Sequence, residues 1–211
     1  AREVMQLFSI GLYELNDDGT EKMPRKETYT QQDVTNIAAI FTGWDFASID
    51  LKPTRTGTTG PEFPYNIPAP IDKESFSYFN QTMNHNSAAF TKGNKPFFNQ
   101  TVSDSKSGKE AIYQVLDYLA GHANVGPFIG KQLIQRLVCS NPSPDYVKRV
   151  TQIFNNDGSG VRGNLKAVIK AILLDPEARN LPQAGTDAYN SYGKLREPVL
   201  RLAQWARTFN A

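Results

Sequence analysis

The chain has 211 residues, of which 39% are hydrophobic and 21% charged, and its formal net charge is +2. A chain of this length buries one sizeable core or two small ones. Lys and Arg nearly balance Asp and Glu, 23 against 21, so no strong field gathers nucleic acid or an anionic surface, and no nucleic-acid partner is expected.

The chain opens on Ala1-Arg2-Glu3-Val4, already inside a helical pattern, and reads as an excerpt from a longer polypeptide. Over residues 1–12, Val4, Met5, Leu7, Phe8 and Leu12 keep helical spacing, which ends near Gly11. Asn16-Asp17-Asp18-Gly19 predicts a turn. Thr30-Gln31-Gln32-Asp33 has the spacing of a capping box, with Asp33 in place of the usual Glu. The helix it starts presents Val34, Ile37, Ala38 and Phe41 on one face, and Thr42-Gly43-Trp44 closes it.

Residues 45–105 form an insert of different character. Pro53, Pro61, Pro64, Pro68 and Pro70 interrupt any regular element before Asp72. Two aromatic-rich pieces, Trp44 to Leu51 and Phe76 to Phe79, fit short strands or a hairpin. An insert of this length inside a compact domain marks a lid, a binding surface or a disordered segment.

From Ser107 the pattern is helical. Ala111, Ile112, Val115, Leu116 and Leu119 define one helix, and Phe128, Ile129, Leu133, Ile134 and Leu137 the next. Ser143 is placed to cap a third, with Pro144 at its first position. Leu165 to Leu173 form a fourth, stopped by Asp175-Pro176, and Leu195 to Phe209 a last. The expected fold class is therefore mainly α, a helical bundle of residues 1–44 and 107–210 in a single domain, with the irregular insert between them and room in it for a short β-hairpin. The expected core includes Leu7, Phe8, Ile37, Phe41, Leu116, Phe128, Leu133, Ile153, Ile169, Leu173, Leu202 and Trp205.

Several segments resemble the bacterial family known as domain of unknown function 1800. They are Ala1-Arg2-Glu3-Val4-Met5-Gln6-Leu7-Phe8, Tyr29-Thr30-Gln31-Gln32-Asp33-Val34, Phe41-Thr42-Gly43-Trp44 and His122-Ala123-Asn124-Val125-Gly126-Pro127-Phe128-Ile129. Asn141-Pro142-Ser143-Pro144, Leu173-Leu174-Asp175-Pro176-Glu177 and Lys194-Leu195-Arg196-Glu197-Pro198 follow in the family's order. The chain is similar to the C-terminal portion of such proteins. The resemblance implies a periplasmic or extracellular parent and no established reaction. Many members carry His-Asp-x-Gly-x-Lys after the Gly-Trp element. Here His85 matches, but Asn86 stands where the Asp would be and the spacing to a lysine differs, so a role held by that carboxylate does not carry over.

The one cysteine, Cys139, excludes an internal disulfide and a cysteine-based zinc site. In the run Leu137-Val138-Cys139 it reads as a small buried hydrophobe. No apolar stretch approaches the ~20 residues that span a bilayer. His122, between two helices, reads as a helix-terminus residue. The oxygen-rich turns at Asn16 to Glu21 and Asn155 to Gly158 lack the EF-hand pattern and read as ordinary turns. No metal site and no cofactor are expected. No Gly-x-Ser-x-Gly elbow occurs; Gly158-Ser159-Gly160 is the nearest fragment and lies between helices.

The candidate site lies in the insert. His85 suits proton transfer near neutral pH, and Asp45 is the carboxylate nearest the Gly43-Trp44 element, so the two form the candidate catalytic pair. Trp44, Tyr65 and Tyr78, with Lys95 at the end of the His85 segment, form the candidate binding set. Two functions fit: an exported domain that binds a partner protein or a surface glycan through the insert, or an ester or glycoside hydrolase using His85 and an insert carboxylate.

Overall fold

A computed structural model of the chain describes residues 1–45, 84–85 and 90–210. Of the expected pieces, Tyr65, Tyr78, the Phe76 to Phe79 stretch and the part of Trp44 to Leu51 after Asp45 lie outside the described residues. The described part is mainly helical, as the periodicity predicts, and its contacts divide into two units: residues 1–31 with 116–211, and residues 32–115.

In the first unit, α1 (Arg2–Gln6) leads into a loop bridged antiparallel at Tyr13 and Glu27 and at Leu15 and Glu21. The centre is a cluster of α4 (Val125–Leu137), α5 (Pro144–Asn155) and α6 (Leu165–Leu174), each packed on the other two. The short α7 (Pro176–Arg179) and α8 (Asp187–Asn190) precede α9 (Pro198–Phe209). Ile134, Tyr146, Val147, Val150, Val168 and Ile172 are almost wholly buried between α4, α5 and α6. Gly130 lets α4 and α5 approach, since a Cβ there would stand 3.2 Å from Val150. Ser143 caps α5 as its sequence predicts: the side chain accepts from the Tyr146 N–H, and Pro144 follows at the first position.

The second unit holds α2 (Gln31–Ile40), whose Ile37 and Ile40 are fully buried. It also contains two small antiparallel ladders, β1 (Trp44–Asp45) with β2 (Asn84–His85) and β3 (Lys95–Phe97) with β4 (Gln100–Val102). The division between units falls inside α3 (Gly108–Gly121), where Ala111, Val115 and Leu119 are the buried stripe.

Several residues expected in the core are at the surface. Leu7 and Phe8 are exposed because α1 ends at Gln6 and the chain turns, leaving Met5 and Ile10 to fill the core. Leu116, Ile169 and Leu173 flank buried stripes whose true members are spaced by four, Ala111, Val115 and Leu119 in α3, and Val168 and Ile172 in α6. Leu202 and Trp205 belong to α9, which has no buried residue. Periodicity identifies which residues share a face, and a covering neighbour decides whether that face is core.

Among the described residues no helix is long and apolar enough to cross a membrane.

Candidate functional site

The insert begins and returns at one place. Thr42, in the Phe41-Thr42-Gly43-Trp44 element, donates its hydroxyl to the Ala39 carbonyl at 2.7 Å, which ties it to the end of α2. The same oxygen accepts the Thr91 N–H at 2.9 Å and lies 3.0 Å from the Thr91 hydroxyl. Gly43 turns the chain at φ +82°, a conformation glycine adopts without steric cost. Directly after it, β1 pairs with β2: Trp44 stands opposite His85, and Asp45 opposite Asn84. The base of the insert is therefore closed twice, by the threonine pair and by the ladder.

This register joins three of the sequence-predicted residues. Trp44 and His85 share a register position, and Asp45 stands one step along the same ladder. Thr42 and Thr91 were not among the expected site residues. The signal for Thr42 lies in the Phe-Thr-Gly-Trp element, which in the sequence marks only a helix end; nothing local marks Thr91, whose role is set across 49 positions of sequence.

Lys95 of the candidate binding set is 3% exposed. Its ammonium donates to the Gly93 carbonyl at 2.8 Å and lies 4.3 Å from the centre of the Phe90 ring, so a carbonyl and a π-face satisfy the buried cation. It braces the loop that leads into β3. Asp104 completes this brace, its carboxylate accepting the Gly93 N–H at 2.5 Å while its own N–H donates to the Asn94 side chain at 2.9 Å.

The β3–β4 hairpin turns at Phe98 and Asn99, and Phe98 takes φ +48°, unusual for a bulky residue. The Asp33 carboxylate, 8% exposed on the first turn of α2, accepts the Phe98 N–H at 2.6 Å and holds that turn. Phe98 also meets Phe97 edge-on, with ring centres 6.3 Å apart.

The other residues weighed as candidates belong to the first unit and have structural partners there. His122 Nδ1 accepts the Asn124 N–H at 3.1 Å, and burial pushes the imidazole below its ordinary pKa, with Glu14 pulling the other way. Cys139 is buried, which raises its thiol pKa. The Asp157 carboxylate accepts from the Ser159 N–H and hydroxyl, the Val161 N–H and the Asn164 side chain. These bonds hold it well below the usual carboxylate range. The Asp18 carboxylate likewise accepts from the Thr20 N–H and hydroxyl. Both oxygen-rich segments thus spend their acceptors on their own turns.

Taken together, the fold is a mainly helical scaffold with a pinned insert. The family described as Protein of unknown function (DUF1800) matches residues 1–211, and the chain belongs to that family. No curated protein matches the chain, and no solved structure does.

Proposed function

We propose that this chain is an exported bacterial domain that binds a partner protein or a surface glycan through the 45–105 insert. The observation that carries the reading is the double closure at the base of the insert, Thr42 on Thr91 and Trp44 opposite His85. Fixing both ends of a long connection reduces the conformational entropy lost when it engages a ligand, and binding loops on rigid scaffolds are built this way. Trp44, Tyr65 and Tyr78 are aromatic residue types of the kind that sugars and proteins use. Lys95, buried, braces the loop entering β3. A glycan array and a pull-down test it: Trp44→Ala or Tyr65→Ala lowers the signal while helicity is unchanged, and an undiminished signal in both variants refutes it.

A second reading rests on residue chemistry. The insert carries a histidine, His85, and a carboxylate, Asp45, residue types that serve acid–base hydrolysis of an ester or glycoside, although one step along the ladder separates their positions and successive strand positions face opposite sides. A chromogenic ester and glycoside panel separates the two readings: turnover lost in His85→Ala or Asp45→Asn establishes the hydrolase.

A further inference from the structure

An open pocket of about 470 Å³ lies between the C-terminal end of α4 and α9, in a part of the chain that takes no role in the proposed function. Four cationic residues line it: Arg136 from the last turn of α4, Lys194 and Arg196 from the segment before α9, and Arg207 from α9. No carboxylate lines it, although Glu197 is adjacent in sequence to Arg196. Among the described residues none of the four cations has a carboxylate within 4.0 Å. Their hydrogen-bond partners among the described residues are neutral, the Arg136 carbonyl for the Lys194 ammonium and the Gln204 side chain for the Arg196 guanidinium.

The arrangement is held by the backbone around it. Ser140 N–H donates to the Gly193 carbonyl at 2.9 Å, and the Leu195 N–H donates to the Ser140 hydroxyl at 3.2 Å. Lys194 and Arg196 are thereby fixed beside the end of α4 without an acid to neutralise them. Four like charges facing one space repel one another, and an anion relieves that repulsion. Arginine forks suit the oxygens of a phosphate group, which accept two parallel N–H bonds at a time. The remaining wall is apolar, made by Leu137, Leu200 and Ala203; the Thr208 hydroxyl, also in the lining, donates to the Gln204 carbonyl at 2.8 Å. A bare inorganic ion would leave that apolar wall unused.

The geometry points to a site for an organic phosphate monoester, its dianionic head among Arg136, Lys194, Arg196 and Arg207 and its apolar body on Leu137, Leu200 and Ala203. Such a group comes from a soluble ester or from a lipid headgroup. Titration calorimetry with inorganic phosphate and phenyl phosphate, beside flotation with vesicles containing phosphatidate, distinguishes the sources. Phenyl phosphate binds more tightly than inorganic phosphate if the ligand is soluble, whereas phosphatidate vesicles carry the protein if it is a lipid. In either case Arg136→Gln and Arg207→Gln weaken binding at least tenfold, and circular dichroism is unchanged because both side chains are exposed and make no ion pair. Lack of saturable binding in both arms, or binding indifferent to both substitutions, overturns the site. Neither result bears on the insert, whose test uses Trp44 and Tyr65.

Discussion

The Nδ2 of Asn124 lies 2.8 Å from the carbonyl oxygen of Ile10, 114 residues earlier in the chain. The same amide donates to Tyr13 O at 2.7 Å, and Oδ1 accepts the Leu15 N–H at 2.8 Å. One side chain, 2% exposed, thus pairs three backbone groups of residues 10–15, beside the backbone bonds that this segment makes to Met5, Lys26 and Thr28. Asn124→Ala leaves these backbone groups unpaired and is expected to cost about 3 kcal/mol or more. Urea unfolding gives the check: a lower midpoint at an unchanged slope is expected, and a shift within experimental error would show that water replaces the amide.

Thr42 makes a similar bridge at the insert. Thr42→Val keeps the shape of the side chain but removes the acceptor of the Thr91 N–H and the donor to Ala39 O. These bonds are partly exposed, so the expected loss of stability is only about 1 kcal/mol. The larger effect falls on the insert, where amide exchange of Thr91 speeds up while that of α5 is unchanged. Equal protection in both proteins contradicts the staple.

Burial lowers the pKa of His122, so the folded protein gives up that proton more readily than the unfolded chain. Between the folded value and the unfolded value near 6.5, the unfolded state binds more protons. Stability contributed by neutral His122 is therefore present above about pH 6.5 and is lost as pH falls. Unfolding measured from pH 7 downward should show wild type losing stability relative to His122→Gln. Parallel pH profiles would count against the assignment.

Cys139 is 5% exposed, and burial raises its thiol pKa. Little thiolate is available and reagents have little access. An aromatic disulfide reagent is expected to titrate less than a tenth of the thiol in the native protein within minutes and all of it in urea. Rapid native reaction would show that the segment around Cys139 opens easily.

How much of this was legible in the sequence depends on how far apart the partners are. Ser143-Pro144 at the start of α5 and the stop at Asp175-Pro176 are local signals, and the structure has both. The partners of these residues are not local: Arg149 grips the Asp175 carboxylate through two nitrogens at 2.7 and 2.8 Å, and Glu177 accepts from the Ser143 N–H at 2.8 Å. In the sequence Asp33 reads as a helix-capping residue, yet its carboxylate also fixes Phe98, 65 residues away. The apolar face of α9 was visible in the spacing of Leu202, Trp205 and Phe209, but its exposure was not, because spacing carries no information about what lies opposite. At the insert, the chemistry of Trp44, Asp45 and His85 is legible in the sequence, whereas their register depends on pairing across about 40 residues.

The central claim is that the insert, closed at its base, is the binding surface. A glycan array paired with a pull-down, comparing wild type with Trp44→Ala at matched helicity, tests it most directly. The account predicts a defined wild-type signal that falls at least tenfold in Trp44→Ala. A wild-type signal that Trp44→Ala and Tyr65→Ala both leave intact would contradict it.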